Sequence, residues 1–474
     1  MSQCACGMSW AKFLLMAGVV VGGAGFGFYM AGGSLQQPDN QDLTLHGPGD
    51  PSPCDVPSQQ QRFPLSALDV KDTSEAPEVT VNCCGKVFLA WASKTGEAER
   101  TLFFTRSSDG TTFETPRVIS KGGVYKTPGK GKMGRHERRA MPHLAAMGKE
   151  VHLTWSEALP DGSGMQMLLA SSRNTGETFR DPEPVHSGEK AKATFGSFAR
   201  GAGGILGCVW LDDRNGSQQP FASICGDEDT QFRPEIRVHA GQEGKGVCPC
   251  CPTAAAFSRD GTLYAAFRNI NDGYRDIVVS RLKPGATAFE GPFPVVEKTW
   301  KFDGCPHDGP SLAVTGDTIH VVWMDARTGV QRAYYGRAKL ADMKFDTREL
   351  NAAGPGTQGN AKLFVDMSGH LHVVWEESLG AEPAADAHAG HQHAAPKAGG
   401  AGGRAVMYAT MREGKTAFGP ARAVAPKAGV FQTRPSVAAD TNGNVYIAWN
   451  ELDTTGKSLV LTRLSSTGSE ACCK

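Results

Sequence analysis

The chain has 474 residues, with 49 Lys and Arg against 49 Asp and Glu, so its formal charge is zero and no bulk attraction to nucleic acid is expected. Length alone suggests about three domains, but a repeat array makes a single unit of this size. Its 58 glycines, spread between short apolar segments, favour an all-β array over a helical one.

Between Lys12 and Asp39 no residue is charged. Phe13 to Gly33 is apolar and glycine-rich, and reaches the ~20 residues that a helix needs to cross a bilayer. Gly18 to Gly22 and Gly23 to Gly27 have the small-xxx-small spacing that lets two such helices approach. A cleaved secretion signal is the competing reading. The run is long for a signal and lacks a clear small-x-small cleavage site, which favours a retained anchor. Lys12 then places the remainder outside the cytoplasm, in the periplasm or at the cell surface. The expected division is a cytoplasmic segment 1–12, an anchor or signal 13–33, a tether 34–61 and a folded part 62–474. The tether is rich in Pro, Gly, Gln and Asp.

From Pro77 onward one unit recurs. Its mark is a turn residue followed by alternating apolar positions and a terminal aromatic, as in Asp317 to Trp323. The same pattern ends at Trp91, Trp155, Trp210, Phe267, Trp375 and Trp449. Alternation of this kind is a half-buried strand. The second unit shows four strands: Pro142 to Ala146, Glu150 to Trp155, Gln166 to Ser171 and Glu183 to His186. Four short strands repeated about an axis make a β-propeller. Seven units can be traced, and the seventh, Pro435 to Leu464, supplies only three strands. A lone strand at Phe63 to Val70 is expected to complete it. Six blades with one unit outside the ring is the alternative.

Ser172-Arg173-Asn174-Thr175-Gly176-Glu177-Thr178-Phe179 resembles the Asp-box (bacterial neuraminidase repeat) turn, Ser-x-Asp-x-Gly-x-Thr-Trp. Ser108 to Phe113 is a degenerate copy, and Gly414 to Phe418 and Pro284 to Phe289 are weaker ones. In such a turn the Asp or Asn side chain bonds the backbone, Gly supplies a positive φ, and the aromatic plugs the blade. With the strand repeat, the chain after the tether resembles a sialidase-like propeller. That family includes sialidases, with an arginine triad, a Tyr–Glu nucleophile pair and an acid Asp, and also non-catalytic binders. Arg62-Phe63-Pro64 resembles the family's Phe-Arg-Ile-Pro, whereas the remaining catalytic residues match no motif here. Fold likeness alone does not carry an activity.

In a four-stranded blade, loops entering the inner strand share a face with loops leaving the aromatic strand. Val247-Cys248-Pro249-Cys250-Cys251-Pro252 enters the fourth unit, and Cys305-Pro306-His307 enters its neighbour. Cys248, Cys250, Cys251, Cys305 and His307 are therefore expected at one mouth. Thiolates and imidazole suit copper or zinc; disulfides are the alternative outside the cytoplasm. The insertion 381–403 adds His388, His391 and His393 in an Ala-, Gly- and Pro-rich tract of metal-binding type. It is otherwise a solvated linker.

Lys121 to Arg139 is a basic loop suited to an anionic ligand or glycan, or simply to water. Arg139, Asp212, Asp325 and Arg434 reach the same mouth and are the catalytic candidates for glycosidic acid–base work. Cys208 and Cys225 flank one hairpin and are expected to pair across it. Cys54 to Cys472 or Cys473 would pin the ring closure. Cys4 and Cys6 precede the anchor, so 13 cysteines leave an odd eleven outside, and at least one thiol is unpaired or metal-bound unless it bonds another chain. Three functions remain open: a ligand- or metal-binding propeller, a sialidase-like glycoside hydrolase, or an interaction platform with oxidised cysteines.

Overall fold

A computed structural model describes residues 58–65, 75–127, 136–138, 140–187, 192–226, 231–354, 356–380 and 402–464. Among them there is no α-helix, and the only helical turn is the 3-10 segment Ala202–Gly204. No helix among these residues is long and apolar enough to cross a membrane. The expected anchor 13–33, most of the tether, the insertion's histidines, Arg139 and the terminal cysteines lie outside the described residues.

The strands pair antiparallel in sets of four. The first set is Glu78–Val81, Val87–Lys94, Glu99–Ser107 and Arg117–Gly123. The second is His143–Met147, Glu150–Ala158, Met165–Ser172 and Glu183–Pro184. The third is Thr194–Arg200, Leu206–Asp212, Gln219–Cys225 and Ile236–Arg237. The fourth, Ala254–Phe257, Leu263–Arg268, Ile277–Leu282 and Glu290–Pro294, is followed by Ser311–Thr315, Thr318–Asp325, Arg332–Lys339 and Asp346–Glu349. Then come Gln358–Val365, Leu371–Ser378, Arg404–Met411 and Arg422–Val424. The last set is Phe431–Ala439, Val445–Asp453 and Gly456–Leu464, and its fourth strand is Ser58–Pro64 from the N-terminal end. That strand begins five residues earlier than the sequence pattern suggests, with Phe63 opposite Leu459. Single pairs, Gly123 with Ala158 and Arg404 with Phe431, join neighbouring sets.

The core sits between the sheets. Each apolar cluster takes side chains from two consecutive sets, and one joins the last set to the first through Phe63, Val79, Trp91, Tyr446 and Leu459. Trp155, Trp210, Trp323, Trp375 and Trp449 are among the most fully buried large side chains. Burying one such ring, ~200 Å² at about 25 cal/mol per Å², contributes roughly 5 kcal/mol before conformational entropy is counted.

The aromatics do not end their strands, as the sequence pattern implied. In five of the repeats the indole N–H donates to a carboxylate two residues further on: Trp155 to Glu157 at 2.9 Å, Trp210 to Asp212 at 3.3 Å and Trp323 to Asp325 at 2.9 Å. Trp375 donates to Glu377 at 3.1 Å and Trp449 to Glu451 at 3.2 Å. Residues i and i+2 of a strand share a face, so extending the strand past the ring satisfies a buried donor that would otherwise cost free energy.

The turns singled out in the sequence close on themselves. Ser172 Oγ donates to Asn174 Oδ1 at 2.8 Å and accepts from Gly176 N at 2.9 Å. Asp109 Oδ1 accepts the backbone N–H groups of Thr111 and Thr112. Phe179 meets Phe104 edge-on at 5.0 Å, and Phe113 meets Phe63 at 6.0 Å.

Candidate metal centre

Two loops that precede neighbouring inner strands meet. One is Cys248 to Pro252, before Ala254–Phe257, and the other is Cys305 to Pro310, before Ser311–Thr315. Their approach is close: a Cβ at Gly309 would lie 2.1 Å from the Pro252 carbonyl oxygen, so only glycine fits there. Asp308 holds the second loop from both sides. Its carboxylate accepts Asn360 N–H at 2.7 Å and its carbonyl accepts Arg268 Nη2 at 3.0 Å. The adjacent His307 adopts φ 56°, a left-handed conformation that the surrounding bonds must support.

The donor atoms gather in two groups of three. The sulfurs of Cys248, Cys250 and Cys251 lie within 4.8 Å of one another, as do donor atoms of Cys250, Cys305 and His307. Cys248 Sγ is 3.7 Å from Cys250 Sγ and 3.6 Å from Cys251 Sγ. These are thiol distances, not disulfide bonds of ~2.05 Å, so the oxidised alternative for this cluster is not what the chain adopts here. Cys248, Cys250 and Cys251 are buried, and Cys305 is half-buried.

Three guanidinium groups surround the sulfurs. Arg275 Nη1 donates to Cys248 Sγ at 3.1 Å, and its Nε donates to the Phe302 carbonyl at 2.7 Å, which ties the first loop to the segment leading into the second. Arg268 is fully buried, lies over Trp300 at 5.4 Å, and donates to the Met324 carbonyl at 2.7 Å. Burial works against its charge, yet the nearby Cys251 and Cys248 sulfurs and the Asp308 and Asp325 carboxylates hold its pKa above the usual value. Arg138 sits over the Phe195 ring at 5.0 Å; burial lowers its pKa, and the charges of Cys250 and Cys305 oppose that.

The thiols respond in pairs. Hydrogen bonds from Cys250 and Cys251 hold Cys248 well below the ordinary thiol range, with Arg275 and Arg268 adding to the effect. The hydrogen bond from Cys250 likewise lowers Cys305 against its burial. Cys250 is pushed well up by donating to its neighbours, and Cys251 is pushed up mainly by burial. Soft thiolates with an imidazole, beside buried arginines, are a donor set for Cu(I) or Zn²⁺.

The other sequence candidates lie elsewhere or are otherwise engaged. Asp212 accepts Trp210 Nε1 and pairs with Arg214 at 2.6 Å; Asp325 accepts Trp323 Nε1 and pairs with Arg327. Both carboxylates are buried and have their bonds filled by their own strand and the turn that follows. Arg434, at φ 54°, donates its backbone N–H to Glu376 at 2.6 Å. Of the basic loop, Lys126 reaches Glu137 at 3.7 Å and Arg138 faces the thiols, so part of its charge is answered within the protein. Cys208 and Cys225 do not bond each other: Cys208 is opposite Ser223 and Cys225 opposite Leu206. The two sulfurs are offset along the hairpin, and Cys225 donates to the Gly226 carbonyl at 3.5 Å.

Two features escaped sequence reasoning. Arg275 has no local pattern that marks it as a sulfur ligand's partner. Glu78 opens an inner strand, and burial raises its pKa to about 7 while Lys362 and Ser436 work in the other direction. A carboxylate at the start of an inner strand, where neighbouring positions are apolar, was the available signal. Lys362 also depresses His143, whose pKa burial lowers to about 4, so charges from separate sheets converge on the inner-strand side.

No protein-family model matches the chain and no curated protein matches it. Among solved structures it is similar to the polysaccharide lyase Uly1, with a TM-score of 0.50, 9% identity, and coverage of 86% of this chain and 99% of that one. The leech intramolecular trans-sialidase gives a TM-score of 0.45 at 9% identity over 87% of this chain and 71% of that one. Trypanosoma rangeli sialidase gives 0.41 at 9% identity over 74% of this chain, and the match spans 58% of that structure's length. At 9% identity the likeness to Uly1 concerns the fold alone.

Proposed function

We propose that this chain is an extracytoplasmic, sialidase-like β-propeller of seven blades that binds a soft metal, copper or zinc, between its fourth and fifth blades. The observation that carries the metal reading is the gathering of Cys248, Cys250, Cys251, Cys305 and His307 into two overlapping donor groups. Three guanidinium groups around them stabilise thiolate, the form that ligates metal. Seven blades, rather than six, is supported by the pairing of Ser58–Pro64 with Gly456–Leu464, which joins the two ends of the folded part. The uncharged run 13–33 motivates the membrane anchor and the placement outside the cytoplasm. His388, His391 and His393 are offered as accessory donors on composition alone.

Metal analysis of the chain purified without added metal tests this. Copper or zinc should co-purify with the parent and be lost from a Cys250→Ser/Cys251→Ser double variant. Equal metal content in the two would remove the reading.

A glycan-acting site is the second reading. It is favoured by Glu78, a carboxyl whose pKa is raised to about 7 by burial, as a general acid at neutral pH requires. A fluorogenic sialoside assay at pH 4 to 8, roughly the span over which carboxyls and histidine titrate, tests its simplest form. Turnover abolished by Glu78→Gln would support it, and no turnover would remove it.

A further inference from the structure

We propose that the cluster takes two monovalent soft ions, of the copper(I) class, with the Cys250 thiolate bridging them; this rests on the metal-binding reading above. Cys250 belongs to both donor groups: Cys248 and Cys251 complete one, and Cys305 and His307 complete the other. The five residues thus form two groups of three around a common sulfur, not one group of four or five. Counting the bridge twice, each ion receives three ligands.

Coordination number separates the candidate metals. A structural zinc site is almost always tetrahedral with four protein ligands, so two zinc ions would each be one ligand short. A single zinc would use one triad and leave the remaining donors outside it. Three soft donors per ion suit a monovalent d¹⁰ metal, for which thiolates are selective.

Charge leads to the same answer. Four thiolates with two monovalent ions carry a net −2, set in a largely buried pocket beside Arg138, Arg268 and Arg275. Two divalent ions would instead cancel the thiolate charge that these guanidinium groups face, leaving Arg268 only the Asp308 and Asp325 carboxylates, which is less favourable for buried charge. The Cys248 contact of Arg275, at 3.1 Å, is then a hydrogen bond to a metal-bound sulfur, of the outer-shell kind that orients and tunes a ligand. Metal entry displaces the remaining thiol protons, one ion to each triad, and no electron transfer is involved.

The experiment is an anaerobic titration of the reduced full-length chain with Cu(I) against bathocuproine disulfonate, followed by X-ray absorption of the loaded protein. Two tightly held equivalents with a copper–copper scattering feature are expected. His307→Ala and Cys305→Ser should each hold one equivalent and lose that feature, as should Cys251→Ser, whereas Cys250→Ser should weaken both sites. Circular dichroism melting of each variant without metal separates site loss from unfolding. One equivalent in the parent, with no copper–copper feature, overturns the pair and leaves the metal-binding reading standing. No retained copper overturns the pair, and no retained zinc either overturns the metal-binding reading with it. Two zinc equivalents held in preference to Cu(I) overturn the monovalent assignment.

Discussion

Trp323 donates its indole N–H to Asp325 at 2.9 Å, and the same carboxylate pairs with Arg327. Ring and carboxylate are both buried, and the pairing recurs in the second, third, sixth and seventh sets at Trp155, Trp210, Trp375 and Trp449. The carboxylates that looked like rim acids are thus the acceptors that let a large ring be buried.

It follows that Asp325→Ala should destabilise the protein by about 3–5 kcal/mol, the usual range for breaking a buried charge pair from one side. Asp325→Asn keeps an acceptor for the indole and should cost less than the alanine change. Urea unfolding of both variants measures this. Equal and small effects would mean that the carboxylate is not the partner the ring depends on.

Gly309 leads to a second expectation. A methyl group there would run into the Pro252 carbonyl at 2.1 Å, and backbone on that side cannot give way as a flexible side chain would. Gly309→Ala should therefore push the His307 loop away from the Cys248 to Pro252 loop and weaken metal retention by about 10-fold or more, the scale seen when a group that holds a metal ligand in place is disturbed. No ligand is removed, so the readout is copper affinity with the melting temperature measured in parallel. Affinity unchanged beside a lowered melting point would show that the contact matters only for stability.

The sheet repeat was legible because alternation and a recurring aromatic are local patterns. The meeting of Cys250 with Cys305 was legible too, since two cysteine-bearing loops precede neighbouring inner strands and must share a face. Strand ends were less so: the indole's need for an acceptor extends Thr318–Asp325 two residues past Trp323, and that depends on burial, not on pattern. The Cys208–Cys225 bridge failed on register, because a symmetrical position about a turn says nothing of an offset of two residues. Arg275 and Glu78 were hidden because their partners, Cys248 and Lys362, are far along the chain.

Phe63 tests the junction of the two chain ends. Its ring is buried, 5.3 Å from Trp91 and 6.0 Å from Phe113, on a strand that pairs with Gly456–Leu464. Phe63→Ala should cost about 3–5 kcal/mol, as for other buried Phe truncations. Hydrogen exchange should show the loss of protection concentrated in Ser58–Pro64 and Gly456–Leu464. Protection unchanged in those strands would argue that the N-terminal strand is dispensable.

Glu78 gives a pH dependence whose sign can be worked out. Burial raises its pKa from 4.5 to about 7, so in that window the folded chain holds a proton that the unfolded chain has released. Stability from this group is therefore fully present below pH ~4.5 and is lost as the pH rises toward ~7, at no more than about 1.4 kcal/mol per pH unit. His143, lowered from 6.5 to about 4 by burial, contributes the opposite slope, losing stability as the pH falls through that range. Replacing Glu78 by glutamine removes the first slope and leaves the second. Relative to the parent, Glu78→Gln should gain stability steadily between pH 5 and 7, and urea denaturation at pH 5, 6 and 7 reads this directly. Parallel stability curves for the two proteins would mean that Glu78 is ionised in the folded state throughout, with Lys362 outweighing the effect of burial.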